Sequence, residues 1–363
     1  MSIFRIGLDR ASPLMRAAAL LAFALVLPAA HAEEARVGCA AGDKACGIQK
    51  LRAHPARQLA FWKDALDKPL LERVAPGGPQ IVDYLTIDNI VNGYPQRPRS
   101  PAPDSAFLAD VRGAIAAMPA PVKRLLERKM VGVFLVEDFG GSGYTDEVED
   151  AQGKAVAGFI VLDPSVLRQH TANSWITWRE NTPFKPSKRH RLAARIESGA
   201  ANNRMQAIQY ILLHEFAHVI AINGRLHPSW AQSPSQVKGP GDYPYFALSW
   251  RIADDRYVSV HDEAFPQRRD IVFYFGAKLD GADMRPTYET LERTDFATLY
   301  SATHPGDDFA EAFANYVHVV LMKKPFAITM REDGRVVKTY RACWEQARCA
   351  AKRRLIEELL KGG

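Results

Sequence analysis

The sequence predicts an α+β fold, with a small mixed sheet, a buried helix that carries two histidines, a second acidic helix and a mainly helical N-terminal extension. Three observations favour this class. Residues 203–223 form one long apolar run with the composition of a buried helix. The short apolar runs 131–136 and 155–162 have the length and β-branched content of strands. Residues 307–316 have the acidic first turn that is typical of a helix N-terminus.

The first 32 residues have the pattern of a secretory signal peptide. Three arginines precede the apolar run 17–27, and Ala30-His31-Ala32 is a typical cleavage site. We expect cleavage after Ala32, a secreted or periplasmic protein, and no membrane association afterwards. An uncleaved membrane anchor is the alternative, but the run is shorter than the ~20 apolar residues of a membrane span. Cleavage would remove three arginines and one aspartate, so the net charge would fall from +6 to +4. Export and this mild charge argue against nucleic acid as a partner.

The remaining chain is predicted to have two parts. Residues 33–105 would form a helical extension that ends in a linker, because four prolines lie between positions 94 and 106. Residues 106–363 would form the main domain. Hydrophobic residues make up 47% of the chain and charged residues 24%, which is typical of a globular protein.

The two strand candidates are predicted to pair as an antiparallel hairpin around a loop at 139–153, which is rich in Gly and Asp. An antiparallel edge strand just before a histidine-bearing helix could hold an extended peptide by main-chain hydrogen bonds. The alternative is that these strands only build the sheet. The basic stretch 185–195 is expected to be a solvated loop, and residues 271–275 a further strand.

The C-terminal part contains a hairpin signal and a terminal helix. Asp333-Gly334 is a typical hairpin turn, and it predicts pairing of 326–330 with 336–340. Residues 350–360 are expected to form the last helix.

All four cysteines follow the expected cleavage site. An even number in an exported chain predicts two disulfides, and the simplest pairing is local, Cys39 with Cys46 and Cys343 with Cys349, although three connectivities are possible. Residues six apart in one unbroken helix would have Cα atoms about 9 Å apart, too far for a disulfide. If the second pair is local, the terminal helix must therefore begin at or after Cys349.

The main chemical signal is His214-Glu215-Phe216-Ala217-His218, an H-E-x-x-H motif within the buried helix. Histidines four apart lie on one helix face, so both could bind one metal ion. Buried imidazoles and a carboxylate are costly without partners, and Zn²⁺ would supply one. Glu215 would act on a water molecule. Asn223-Gly224 should end this helix, with the glycine in the left-handed conformation.

A catalytic zinc needs a third protein ligand. A histidine six residues after His218 is excluded, because Gly224 occupies that place, and His227 is more consistent with a loop residue. The acidic helix at 307–311 is the better source of the third ligand. Its carboxylates could instead cap the helix, and His318 is expected to pack rather than to bind metal.

The motif and the segment Tyr300-x6-Asp307-Asp308-Phe309-Ala310-Glu311 together resemble gluzincin metallopeptidases of the lethal-factor type and their bacterial relatives. The resemblance covers about a third of the chain. It implies a zincin-like domain in which Asp307 is the third ligand, Tyr300 is catalytic and Glu311 orients a zinc histidine. The family usually has glutamate at the ligand position. Because aspartate is shorter, Glu311 and then Asp308 are the alternative ligands.

The sequence thus predicts an exported zinc peptidase that acts on a peptide or protein, with Glu215 as general base. Two alternatives stay open: a non-catalytic binding or inhibitory module of the same fold, and a zinc-dependent cell-wall amidase. The sequence does not define the substrate, the cleavage preference or the oligomeric state.

Overall fold

The computed structural model of the chain describes residues 38–39, 43–102, 104–229 and 232–362. The predicted signal peptide, residues 1–32, lies outside this part. The α+β class is confirmed, because helices accompany a four-stranded mixed sheet and two smaller antiparallel sheets. Among the described residues, no helix combines the length and the apolar character of a membrane span.

The helices and strands follow one another along the whole described chain. The α-helices are α1 (Lys44–Ala53), α2 (Pro79–Asn92), α3 (Ser105–Ala116), α4 (Ala120–Glu127), α5 (Pro164–Leu167), α6 (Ala172–Asn181), α7 (Arg204–Ala221), α8 (Phe246–Ser249), α9 (Met284–Leu291), α10 (Pro305–Tyr316) and α11 (Ala350–Lys361). The strands are β1 (Val74–Pro76), β2 (Met130–Leu135), β3 (Gly143–Glu149), β4 (Ala155–Leu162), β5 (His190–Arg195), β6 (Trp250–Ala253), β7 (Arg256–Ser259), β8 (Ala327–Glu332) and β9 (Arg335–Arg341).

The main sheet has the strand order β1-β2-β4-β3. Strands β2 and β4 are the two predicted strands and they are neighbours, but they run parallel, so the predicted hairpin is wrong. The antiparallel edge strand is β3, which lies within the predicted loop 139–153. At the other edge, β1 comes from the predicted N-terminal extension and pairs with β2. The proposed boundary at residue 105 stays a prediction.

Strand β3 was missed because its buried polar residues have distant partners. The Asp146 side chain is fully buried, where it accepts hydrogen bonds from the Arg57 guanidinium at 2.7 Å and the Tyr144 hydroxyl at 2.7 Å, and also one from the Tyr84 hydroxyl. Thr145 points to the other face of the sheet and donates to Glu215 at 2.7 Å. Buried polar groups are tolerated when they are hydrogen-bonded, so the composition of β3 does not prevent it from being a strand.

The sheet separates two apolar cores. On one face, residues of α2 such as Tyr84 and Leu85 belong to the same core as Phe159 of β4. On the other face, α7 approaches the sheet closely: a Cβ added at Gly158 would come within 2.7 Å of the Ile222 side chain. The glycine at 158 therefore lets the end of α7 pack directly on β4.

Helix α7 is buried from Ala207 to Ala221, as its apolar sequence predicts. The Asn203 side chain caps its start by accepting a hydrogen bond from the Gln206 amide at 3.2 Å. At the other end, Asn223, with φ 55°, is the left-handed residue rather than the predicted glycine. Asparagine adopts this conformation more readily than other residues with a side chain, so the Asn-Gly pair still ends the helix.

The C-terminal region contains a three-stranded sheet in the order β5-β8-β9. The predicted hairpin is confirmed as β8 and β9, with positive φ at both Asp333 and Gly334. Residues 190–195, expected as part of a solvated loop, form β5 and pair with β8. The expectation of a strand at 271–275 is wrong, since this segment contains no regular strand.

Both local disulfides are present, Cys39 with Cys46 and Cys343 with Cys349. Helix α11 begins at Ala350, directly after the second cysteine, as the local pairing requires.

Candidate metal centre

The acidic helix α10 starts earlier than its carboxylates suggested. Its N-cap is His304, whose Nδ1 accepts a hydrogen bond from the Gly306 amide at 3.2 Å. The carboxylates therefore lie inside the first turn of the helix. They do not form its N-cap, which was the alternative to a role in metal binding. Helix α10 packs directly on α7, and its residues from Pro305 to Tyr316 are all buried. Asp307 and Asp308, adjacent in this turn, project toward different neighbours.

Asp307 faces the two motif histidines. Its Oδ1 lies 3.6 Å from His214 Nε2 and 3.6 Å from His218 Nε2, and the two imidazole nitrogens are 3.2 Å apart. All three side chains are buried, with exposed fractions of at most 10%. Among the described residues, these three form the group that could hold a metal ion. The structure thus brings together the two histidines and the carboxylate ranked first in the sequence.

The protonation of the two histidines differs although they share one carboxylate. Burial opposes a charge on His214, but hydrogen bonding with Asp307 and Glu311 outweighs it and raises its pKa to about 10. Burial dominates at His218 and lowers its pKa to about 4. Burial also opposes ionisation of Asp307, yet both histidines hold its pKa well below its usual range. The site therefore has one anionic oxygen and at least one basic nitrogen without a proton, which are groups that a cation can bind.

Glu311 lies behind His214 rather than at the ligand position. Its Oε1 is 3.0 Å from His214 Nδ1, so the N–H on that atom can donate and leave Nε2 directed toward Asp307. Arg179 of α6 holds the same carboxylate with two hydrogen bonds, of 2.7 and 3.0 Å, and Thr298 donates a further one at 2.9 Å. Burial opposes ionisation of Glu311, but Arg179 and His214 lower its pKa to about 2.

Asp308 is directed away from the histidines. It forms a buried ion pair with Lys352 of α11, with both oxygens 2.7 Å from Nζ, and it accepts a hydrogen bond from the Trp250 indole at 3.0 Å. Lys352 is itself fully buried. Asp308 thus joins α10 to the C-terminal helix, and the geometry argues against the alternative in which it is a metal ligand.

Glu215, the proposed base, is buried between α7 and the edge strand. The Thr145 hydroxyl donates to its Oε2 at 2.7 Å. A Cβ added at Gly143 would come within 2.6 Å of its Oε1, so only glycine leaves room for this carboxylate beside β3. Burial raises the pKa of Glu215 to about 7, a value suited to accepting and releasing a proton near neutral pH.

A cleft opens beside this carboxylate. His214, Glu215 and Tyr300 line it, together with residues of α6, of the segment before β3 and of the segment after Ile271, and the empty space in it and at its open mouth amounts to about 560 Å³. The Tyr300 ring centre is 5.5 Å from that of His214. Burial raises the pKa of Tyr300 well above 10, so its hydroxyl keeps its proton and can act as a donor.

Two further histidines, His318 and His227, are not among these three potential ligands. His318 Nε2 is close to the carbonyl oxygens of Ile196 and Pro325, at 2.9 and 3.1 Å, so it is a packed residue, as expected. His227 is buried, and its Nδ1 lies 2.8 Å from the Pro228 carbonyl oxygen.

Sequence reasoning missed the residues that support the site from other elements, above all Arg179 and Thr145. The only local signal for Arg179 is an adjacent pair of opposite charges, Arg179-Glu180, next to tryptophans in a short helix. Thr145 gave no signal, because its role depends on the fold alone.

Comparisons of the chain with protein-family models, with curated proteins and with solved structures found no match. Any functional assignment must therefore be based on the residues and distances described above.

Proposed function

We propose that this protein is a zinc-dependent peptidase of zincin-like fold, exported after cleavage at Ala32. The observation that carries the proposal is the convergence of His214 Nε2, His218 Nε2 and Asp307 Oδ1 beside the buried carboxylate of Glu215. Export agrees with the two disulfides, which persist in oxidising compartments.

Zinc suits this donor set. A tetrahedral ion with ligand bonds of about 2.0–2.1 Å separates its ligand atoms by about 3.3 Å. The three separations here are 3.2, 3.6 and 3.6 Å, close to this value without any movement of the backbone. Two histidines and one carboxylate also match the ligand types of catalytic zinc, which uses three protein ligands and leaves a further position open. When bound, zinc would polarise a carbonyl oxygen and lower the pKa of a water molecule to about 7.

The chain's own residues supply the remaining chemistry. Glu215 accepts the proton of the attacking water and passes it to the leaving amine, with Thr145 holding its second oxygen. The protonated Tyr300 hydroxyl, on the cleft wall, stabilises the oxyanion of the tetrahedral intermediate. Glu311, held by Arg179, fixes the orientation and the tautomer of His214.

A peptide is the substrate class that fits the edge of the main sheet. Strand β3 is antiparallel, lies at the sheet edge and begins at the cleft with Gly143, which is partly exposed while residues 144–148 are buried, so a substrate backbone could pair with β3 at Gly143, next to Glu215. The alternative of a cell-wall amidase uses the same metal chemistry, and a purified wall preparation is the substrate that would reveal it.

The proposal is tested with zinc-loaded mature protein and a mixed peptide library. Glu215→Gln should bind zinc as the parent does but should lose peptide hydrolysis, because the general base is gone while the metal ligands stay. Zinc content should fall in Asp307→Ala but not in Asp308→Ala, the matched control one residue away. Full zinc occupancy in Asp307→Ala, or undiminished turnover in Glu215→Gln, would contradict the assignment. A zinc-containing protein that cleaves neither peptides nor wall material would favour the non-catalytic binding module.

A further inference from the structure

An aromatic segment forms the outer wall of the cleft. Phe273, Tyr274 and Phe275 follow one another, and the last two line the cleft together with His214 and Glu215. The segment is fixed at both ends of its backbone: Phe273 is fully buried, and Leu279 is paired with the chain at Phe184. The wall is therefore an ordered part of the fold.

Tyr274 has an unusual backbone conformation. Its φ is 69°, and the Phe275 amide donates to the Phe273 carbonyl oxygen at 2.9 Å, which makes Tyr274 the central residue of a γ-turn with positive φ. Such turns are rare and strained, and a bulky residue in this region is an outlier. Strained residues of this kind are concentrated at ligand sites, where the surrounding structure maintains them.

The turn places the Tyr274 ring between other rings. Its centre is 5.5 Å from the Trp178 ring and 6.3 Å from the Tyr300 ring. The next residue, Phe275, is 42% exposed and stacks on Tyr94 at 5.6 Å, and Trp178 is 39% exposed. Few large apolar side chains of the described chain are this exposed; Phe275 lines the cleft, and Trp178 contacts Tyr274, which also lines it. Exposed apolar rings that adjoin a cavity indicate a binding surface for an apolar group.

The inner wall offers little to a charged group. Trp175 and Ile211 are apolar, and the Trp175 indole nitrogen donates to the Ser142 hydroxyl at 3.3 Å. The cation on this wall is Arg179, but its guanidinium already donates four hydrogen bonds, two to Glu311 and two to Glu180. The side chains of this wall thus offer an incoming group apolar contacts, and the guanidinium among them is already paired.

We infer that this cleft binds a large apolar side chain, preferably an aromatic one, of the substrate residue next to the cleaved bond, and that Tyr274 is the residue that sets this preference. The inference rests on the proposed peptidase function. An aromatic side chain would stack among Trp175, Tyr274 and Phe275, whereas alanine would leave the cleft unfilled.

Tyr274→Gly is the variant that tests the inference, because glycine adopts positive φ without strain and the fold should therefore tolerate the loss of the ring. Zinc-loaded parent protein digests a mixed peptide library, and the residues that flank each cleaved bond are read by mass spectrometry. The parent should favour Phe, Tyr, Trp or Leu at one flanking position. In Tyr274→Gly the ratio of kcat/KM for Phe over Ala at that position should fall about tenfold or more. Tyr274→Phe should keep the ratio, as should Tyr243→Ala, which alters a half-buried tyrosine outside the cleft.

A second measurement separates this inference from the proposed function. Fluorescein-labelled peptides with Phe or Ala at the flanking position are titrated against zinc-loaded Glu215→Gln, with and without Tyr274→Gly, and binding is followed by anisotropy. Cleavage without an aromatic preference, or with the same preference in Tyr274→Gly, would overturn the inference and leave the peptidase proposal standing. Tighter binding of the Phe peptide that depends on Tyr274, with no cleavage by the parent, would support an aromatic-binding cleft set by Tyr274 and contradict the peptidase. If the peptides neither bind nor are cleaved, both are wrong.

Discussion

Arg179→Met should destabilise the protein strongly, because Arg179 joins two buried carboxylates. Its guanidinium is 2% exposed and donates to Glu311 at 2.7 and 3.0 Å and to Glu180 at 2.8 and 3.1 Å. Methionine keeps much of the volume of the side chain, so the main loss is electrostatic. Removing one partner of a buried ion pair costs about 3–5 kcal/mol, since the other charge stays buried without compensation.

For a chain of this length, 3–5 kcal/mol corresponds to a fall in melting temperature of roughly 4–7 °C. Thermal unfolding followed by circular dichroism, in the presence of a chelator, measures this change apart from any effect of bound metal. The deficit should shrink as the pH falls from 7 to 5, because Glu311 and Glu180 can take up protons in the variant once their cation is missing.

Arg189→Met is the matched control. Arg189 also forms ion pairs, with Glu332 and Asp333, but it and its partners are largely exposed, so its loss should leave the melting temperature almost unchanged. The same protein preparations give a second comparison. Zinc affinity should fall about 10- to 100-fold in Arg179→Met, since the carboxylate behind His214 loses its support, and it should not change in Arg189→Met. A melting temperature for Arg179→Met within 2 °C of that for Arg189→Met would refute the stabilising role proposed for the buried ion pairs of Arg179 with Glu180 and Glu311.

Two further predictions concern other buried charges. Lys352→Met should lower the free energy of unfolding by about 3–5 kcal/mol, because it leaves Asp308 buried and unpaired, and it should leave the zinc content unchanged. Urea unfolding measures the first effect and metal analysis the second. A loss of zinc would count against the structural role of Asp308. Burial opposes ionisation of Asp146, but the Arg57 guanidinium outweighs burial and lowers the pKa of this carboxyl group from 3.8 to about 2. The ionised Asp146 therefore stabilises the fold above about pH 4, and this contribution is lost as the pH falls from 4 to 2. Asp146→Asn should therefore melt at a lower temperature at pH 7 and depend less on pH in that acid range, and an unchanged acid dependence would show that another group is responsible.

The parts of the molecule that sequence could predict are those with local signals. The H-E-x-x-H helix is one, because its apolar residues and its caps lie within 21 consecutive positions, from Asn203 to Asn223. The β8–β9 hairpin is another, since Asp333-Gly334 determines its turn. The local disulfides were the simplest of three possible connectivities, and the start of α11 followed from the local pairing and the geometry of a helix.

What could not be predicted depends on partners far away in the sequence. Strand β3 resembled a loop because Arg57 and Tyr84, which compensate its buried aspartate, lie more than 60 positions earlier. The pairing of β2 with β4 depended on that missed strand. Asp307 and Asp308 could not be distinguished by composition, since the direction of each is set by where α10 begins, and His304 sets that start. The positive φ of Tyr274 has no local cause, as an aromatic residue rarely adopts it.

The attachment of the N-terminal segment to the edge strand limits how much of that edge is open. Gln58 forms a parallel bridge to Glu149, and Arg57 forms an ion pair with the same glutamate. The C-terminal end of β3 is therefore already paired with another part of the chain. The middle of β3 is closed as well, because residues 144–148 are buried. Gly143, at the cleft, is the partly exposed residue at the start of this edge. A bound polypeptide could therefore pair with β3 only at its first residue and would then have to leave the sheet edge. Such a short contact would favour flexible loops and chain ends over already folded strands, and it would protect most of a folded neighbour from being cut.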